Sequence, residues 1–118
     1  MQLTKNFDSV EFNCPHCNVC QMDLAFVEKL QLLRTKWGKP IKINSGYRCK
    51  EHNDKIGGAT DSQHVHGLAA DIDLSGMSAS DKYFFIALIF QMQFKGIGIA
   101  KNFIHIDQRK EKPATWTY

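Results

Sequence analysis

The chain has 118 residues, 43% of them hydrophobic and 23% charged, with a formal charge of +3. That length suits a single domain over residues 1–118 with one core, and the composition is that of a globular protein rather than a disordered one. No apolar run approaches the ~18 residues of a membrane span, and the scattered Lys and Arg residues form no stripe of the kind that grips nucleic acid, so membrane insertion and a nucleic-acid partner are both excluded as expectations.

The first segment, Met1 to Asp8, lacks the apolar core and small-residue cleavage pattern of a secretory signal, so none is expected. Three of the four cysteines follow closely in Cys14-Pro-His-Cys17-Asn-Val-Cys20, and the fourth is Cys49. The spacing is compatible with thiol packing or disulfides, with a second metal completed by Cys49 or His16, or with redox chemistry. A redox pair would open a helix after a strand, whereas this one follows a polar loop.

Asp23 is placed to cap a helix over 24–37, whose Phe26, Leu30, Leu33 and Trp37 recur at helical spacing and which Gly38 and Pro40 stop. A short strand is expected at Ile41–Ile43, leading into Asn44-Ser-Gly-Tyr-Arg48 with a tight turn at Gly46. By local sequence Arg48 reads as a solvated surface arginine. A short helix over Lys50–Ile56 ends at Gly57-Gly58, and a polar loop then delivers Ser62 and His64. From Leu68 the pattern alternates: Leu68, Ala70, Ile72 and Leu74 share one face, and Ala69, Asp71 and Asp73 the other. Gly67 lets the backbone change direction so that His64 and Asp71 converge.

Ser78 and Asp81 suggest a capping box before a broadly apolar helix over 79–94, wide enough in its apolar surface to be buried. Gly96-Ile-Gly98-Ile is a short strand or bend and lacks the spacing of a phosphate loop. In Phe103-Ile-His-Ile-Asp107 the residues Phe103, His105 and Asp107 share a face opposite Ile104 and Ile106, the pattern of a half-buried strand. Two strands thus put Asp71 and His105 on polar faces of apolar stretches, and a glycine-hinged loop adds His64. Two histidines and one carboxylate suit a zinc site with an open fourth position, where water is acidified into a nucleophile; a zinc hydrolase is the class implied.

Ser62-x-His64-x-x-Gly67-x-Ala69-x-Asp71, followed by His105, resembles the motif of the D-alanyl-D-alanine zinc peptidase family, which includes phage L-alanyl-D-glutamate endopeptidases and shares its fold with the hedgehog signalling domain. Ile43-Asn-Ser-Gly-Tyr-Arg-Cys49, Phe7 to Cys14, Phe103 to Asp107 and Trp116 resemble the small, often phage-encoded branch of that family. The resemblance implies an α+β fold with a small antiparallel sheet flanked by helices, Zn2+ held by His64, Asp71 and His105, and hydrolysis of peptide bonds in peptidoglycan stems. It also implies that Arg48 binds substrate and stabilises the transition state, against its local reading. Bacterial peptidoglycan is then the partner, a monomer the expected state, and the cell wall or periplasm the place of action, reached from phage or cytoplasmic synthesis without a signal peptide.

Several members of the family place an acidic residue three positions before the last zinc histidine, where this chain has Asn102, and an amide cannot accept a proton. Asp107 is the leading substitute as general base, with His66 and Asp73 behind it, and it could equally orient a zinc histidine. Ser62 and His66 are expected near the substrate. The competing readings are an L-alanyl-D-glutamate endolysin, a zinc-containing cell-wall-binding module without catalysis, and a structural component of a virion.

Overall fold

A computed structural model describes residues 1–59 and 61–118. The carboxylate of Asp23 accepts from the Phe26 amide at 2.9 Å to open α1 (Leu24–Trp37), and Gly38, at φ 75°, closes the helix by donating to the Arg34 carbonyl. Helix α2 (Lys50–Lys55) starts at Cys49, whose sulfur accepts from the His52 amide. Ser78 caps α3 (Ala79–Gln91) by accepting from the Asp81 amide at 3.1 Å. The strands are β1 (Ile43–Ser45), β2 (Ala69–Asp73), β3 (Gly96–Ile99), β4 (Phe103–Asp107) and β5 (Ala114–Thr117).

Among the described residues these strands form one sheet in the order β1-β2-β4-β3-β5, antiparallel except for the parallel pair β3 and β5. The α+β class matches the expectation, and the sheet is mixed rather than antiparallel because β5 returns alongside β3. On the helix-facing side, Ala70, Ile72, Ile97, Ile104 and Ile106 join Phe26, Leu30 and Leu33 of α1 and Phe85 and Ile89 of α3 in one buried core. The Trp37 and Phe85 rings, 5.0 Å apart, tie the two helices together.

Several expected boundaries move. Helix α3 stops three residues before position 94, at a turn where Gln93 takes φ 60°, a left-handed value for which no glycine advertises the stop. It is also less buried than its apolar width suggests: Phe85 and Ile89 face the core, while Tyr83 and Phe84 are exposed. Strand β1 lies at 43–45 rather than 41–43, because its pairing is Ile43 with Ile72 and Ser45 with Asp71; Ile41 still reaches the core. Strand β4 is buried from Ile104 through Asp107 on both faces, not half-buried. Ahead of α1, a 3-10 helix (Ser9–Phe12) lies beside the residues that follow β1, and the Tyr47 amide donates to the Phe12 carbonyl at 2.9 Å.

Candidate metal centre

On the sheet face away from the helices, the register lines up a row across four strands. Asp71 of β2 is directly opposite His105 of β4, His105 is opposite Gly98 of β3, and Gly98 is opposite Trp116 of β5. Two residues along on the same face, Asp107 is opposite Gly96. A side chain at Gly96 would occupy the place of the Asp107 carboxylate, and one at Gly98 would collide with the Trp116 indole. The two glycines thus leave room for the groups that surround His105.

His64 arrives from the loop before β2. That loop turns tightly, with Ser62 Oγ accepting from the His64 amide at 3.2 Å, and ends on Gly67, whose φ of 71° disfavours any side chain. Ligand-type atoms of His64, Asp71 and His105 all lie within 4.8 Å of one another. His64 Nε2 is 3.2 Å and His105 Nδ1 3.0 Å from Asp71 Oδ1, close to the roughly 3.3 Å edge of a tetrahedron with zinc-ligand bonds of about 2.0–2.1 Å.

The outer nitrogens of both rings are committed. His64 Nδ1 lies 2.7 Å from the Gly46 carbonyl, which can only accept, so that nitrogen carries a hydrogen and Nε2 is left beside Asp71 to hold either a proton or a metal. His105 Nε2 lies 2.7 Å from Asp107 Oδ2 in the same way, leaving Nδ1 for the centre. Two imidazoles with fixed tautomers and one carboxylate therefore converge on a point that needs either protons or a cation. Orientation of a ligand histidine by a carbonyl or carboxylate is the usual support of a zinc site, and the donor set fits zinc.

The electrostatics follow. Burial opposes ionisation of Asp71, but hydrogen bonds from His105 and His64 outweigh it and hold the carboxyl well below the usual range. Burial likewise opposes a charged His105, and its bonds to Asp107 and Asp71 raise its pKa above the ordinary value. Asp107 is also pushed up by burial, yet His105 and Arg109 bring it down overall. Its Oδ1 accepts from the Arg109 amide and Nε, and its Oδ2 from His105 and Arg109 Nη2 at 2.8 Å, so all four acceptor positions of a fully buried carboxylate are taken. The Arg109 guanidinium in turn lies 4.9 Å over the Trp116 ring.

The centre opens into a cavity of about 550 Å³ whose lining includes Arg48, Asp61, Ser62, Phe103, Arg109 and Trp116. Arg48 is largely buried, not a solvated surface residue: Nη1 donates to Asn53 Oδ1 at 3.1 Å, and Nη2 is 3.7 Å from Asp71 Oδ2. The structure thus brings Arg48, Ser62, His64, Asp71 and His105 to one cavity. Three other candidates lie elsewhere. Asp107 is sealed behind His105. His66 sits outside the cavity, with Nε2 2.7 Å from Asp61. Asp73 folds onto Ser75, accepting from its amide and hydroxyl, as a turn former does. Sequence reasoning missed Arg109, Asp61 and the Gly46 carbonyl; the Asp-x-Arg spacing of 107 and 109 was the only available sign of the first.

A family model described as peptidase M15 matches residues 3–107. The chain belongs to the M15 peptidase family. It is also similar to the zinc D-Ala-D-Ala carboxypeptidase of Streptomyces albus G, with 47% identity over 45 residues, covering 37% of this chain and 18% of that protein. The matched stretch is therefore a small part of that relative. The motif resemblance noted above and the family match agree, and the histidine-aspartate-histidine centre is the chemistry expected of a zinc peptidase. No helix among the described residues is long and apolar enough to cross a membrane.

Proposed function

We propose that this M15 peptidase hydrolyses peptide bonds in peptidoglycan stem peptides, with the bond before a terminal D-alanine as its target. The observation that carries the reading is the convergence of His64 Nε2, His105 Nδ1 and Asp71 Oδ1 on the floor of an open cavity, with both histidine tautomers fixed from behind. Zinc held by these three would supply Lewis acidity toward the scissile carbonyl and a water acidified toward neutral pH.

The chain's own residues supply the rest. Arg48, anchored by Asn53 beside the centre, presents a cation that stabilises developing negative charge on the carbonyl oxygen or pairs with the terminal carboxylate of a D-alanine. Phe103 and Trp116 provide apolar wall, and Ser62 sets the His64 loop. Asp107 acts through His105 as a positioning residue, because its oxygens are all engaged. Asp61 is the carboxylate that lines the cavity among the described residues without belonging to the metal set, and it takes the proton-accepting role that Asn102 cannot fill. Its partner His66 is the route by which that proton leaves to solvent.

Incubation of zinc-loaded protein with purified peptidoglycan and defined muropeptides, followed by mass spectrometry, tests the reading. Loss of a terminal D-alanine is the expected product, absent with His105→Ala. Cleavage between L-alanine and D-glutamate would replace the bond assignment with an endopeptidase. Zinc bound without any product would favour a cell-wall-binding module. Asp61→Asn is expected to lower kcat by about 10²-fold or more, as for loss of a general base, with zinc content unchanged.

A further inference from the structure

A second group of metal-competent side chains gathers where the N-terminal segment meets the start of α2. The sulfurs of Cys14, Cys17 and Cys49 lie within 4.8 Å of one another. Cys14 Sγ is 3.6 Å from Cys49 Sγ and accepts from the Cys49 amide at 3.4 Å. Burial works against ionisation of the Cys14 thiol, and the backbone around it brings its pKa down to about 7. A tight turn closes beneath them, with the Asn18 amide donating to the Cys14 carbonyl at 2.8 Å and Asn18 at φ 56°. On the other side, Cys49 Sγ accepts from the His52 amide at 3.4 Å.

We propose that Cys14, Cys17, Cys49 and His16 hold a structural zinc ion that clips the N-terminal segment to the loop carrying Arg48. The Cys49 amide that donates to Cys14 Sγ favours the thiolate of Cys14, and a thiolate is the form that ligates a metal. Three sulfurs meet here, so a disulfide would use two and leave the third beside it without a function, whereas a closed Cys₃His set uses all three. His16 would supply the fourth ligand by a small turn of its ring toward the three sulfurs: its Nδ1 already lies 3.6 Å from Cys49 Sγ, and its Nε2 lies 3.8 Å from Glu51 Oε1. The Glu51 carboxylate is thus within ion-pair range of the outer nitrogen of that ring, though beyond hydrogen-bond distance. The Cys14-Pro-His-Cys17 spacing is that of a zinc knuckle, and Cys49, in a distant segment, closes it.

The clip has a clear structural purpose. Cys49 follows Arg48 directly, and the same stretch holds Gly46, whose carbonyl fixes the tautomer of His64. The N-terminal segment also braces that stretch through the bond from Tyr47 to the Phe12 carbonyl. A metal at the cysteine group would therefore lock the strand-to-helix loop that serves the catalytic cavity, without itself lining that cavity.

The test uses the full chain with both cavity histidines removed, His64→Ala/His105→Ala, so that only the cysteine group can bind. Purified under reducing conditions and titrated with Co(II), this variant is expected to hold one metal ion per chain with thiolate-to-cobalt charge-transfer absorption and tetrahedral ligand-field bands; the parent chain is expected to hold two. Cys14→Ser/Cys17→Ser in the parent background should lower zinc content from two ions to one while the cavity site stays filled. His16→Ala should weaken the charge-transfer complex, and Cys20→Ser should leave it unchanged. Should the variants fail to fold, the parent chain alone decides the matter: three thiols shielded from a thiol reagent until a chelator is added support the site. More than one freely reactive thiol in the metal-loaded parent, a disulfide in its intact mass, or the absence of charge-transfer absorption would overturn it.

Discussion

Strands β2 and β4 serve two faces with alternate residues, and the faces are held together by different physics. Toward the helices, Ala70, Ile72, Ile104 and Ile106 contribute by burial, which is non-directional and local to each side chain. Toward the cavity, a chain of directional bonds runs from Arg109 to Asp107, His105 and Asp71, then to His64 and the Gly46 carbonyl. Loss of one apolar group leaves its neighbours in place; loss of one polar group changes the tautomer or charge of the next. One face therefore determines how stable the domain is, and the other determines what it binds.

The sharpest break in that comparison comes from paired substitutions on β4. His105→Ala is expected to abolish peptide hydrolysis, by roughly 10³-fold or more for a centre worth several kcal/mol of transition-state stabilisation, while the far-ultraviolet spectrum stays folded. Ile106→Ala, its neighbour on the other face, should cost about 2–5 kcal/mol of unfolding free energy but leave zinc content and turnover per folded molecule near the parent values. Denaturant melts and metal analysis of the two proteins measure both effects. Unfolding of His105→Ala, or a folded Ile106→Ala that has lost its zinc, would erase the distinction between the faces.

A smaller effect isolates the directional chain itself. Asp107→Asn keeps the shape of the side chain but removes the charge that holds the Nε2 hydrogen of His105 and pairs with Arg109. Zinc affinity is expected to fall about 10–100-fold, the usual cost of removing such a support, as read by chelator competition. If Asp107 were instead the proton acceptor of the reaction, kcat would fall and zinc affinity would not move.

The apolar face was the more legible of the two in sequence. Helix α1 declared itself at both ends, through Asp23 and Gly38, and the alternation in 68–74 and 103–107 placed each strand to within a residue. The end of α3 was hidden, because Gln93 takes a left-handed turn without the usual glycine. Strand β5 was missed since its pairing with β3 is parallel and distant, and Ala114–Thr117 is too exposed to show an apolar period. On the polar face the motif residues stood out by type and spacing, but their partners did not. Gly96-Ile-Gly98-Ile read as a short strand or bend, and a strand it is; that its glycines make space for Asp107 and Trp116 is revealed only by strand register. The Gly46 carbonyl carries no side-chain sign at all.

The smallest expected effect is a slope with pH, and it tests whether His105 is the hinge between the two halves of the polar chain. In the metal-free protein, burial works against the charged imidazole, but Asp107 and Asp71 raise its pKa above 6.5. A group whose folded pKa is raised stabilises the fold below its unfolded pKa, and that increment disappears as pH rises through the folded value. Zinc needs the same Nδ1 position free of its proton, so its affinity rises over that interval, by up to about tenfold per pH unit for each proton displaced. The metal-free form thus loses stability while the zinc form gains it, and the gap between their melting temperatures should widen as pH rises above 6.5 through the raised pKa of His105. In Asp107→Asn one of the two groups that raise the pKa is gone, and the widening should begin at lower pH. A gap that stays flat in both proteins would mean that zinc displaces no proton from His105, and the bond series from Asp107 to Asp71 would not be what prepares the site.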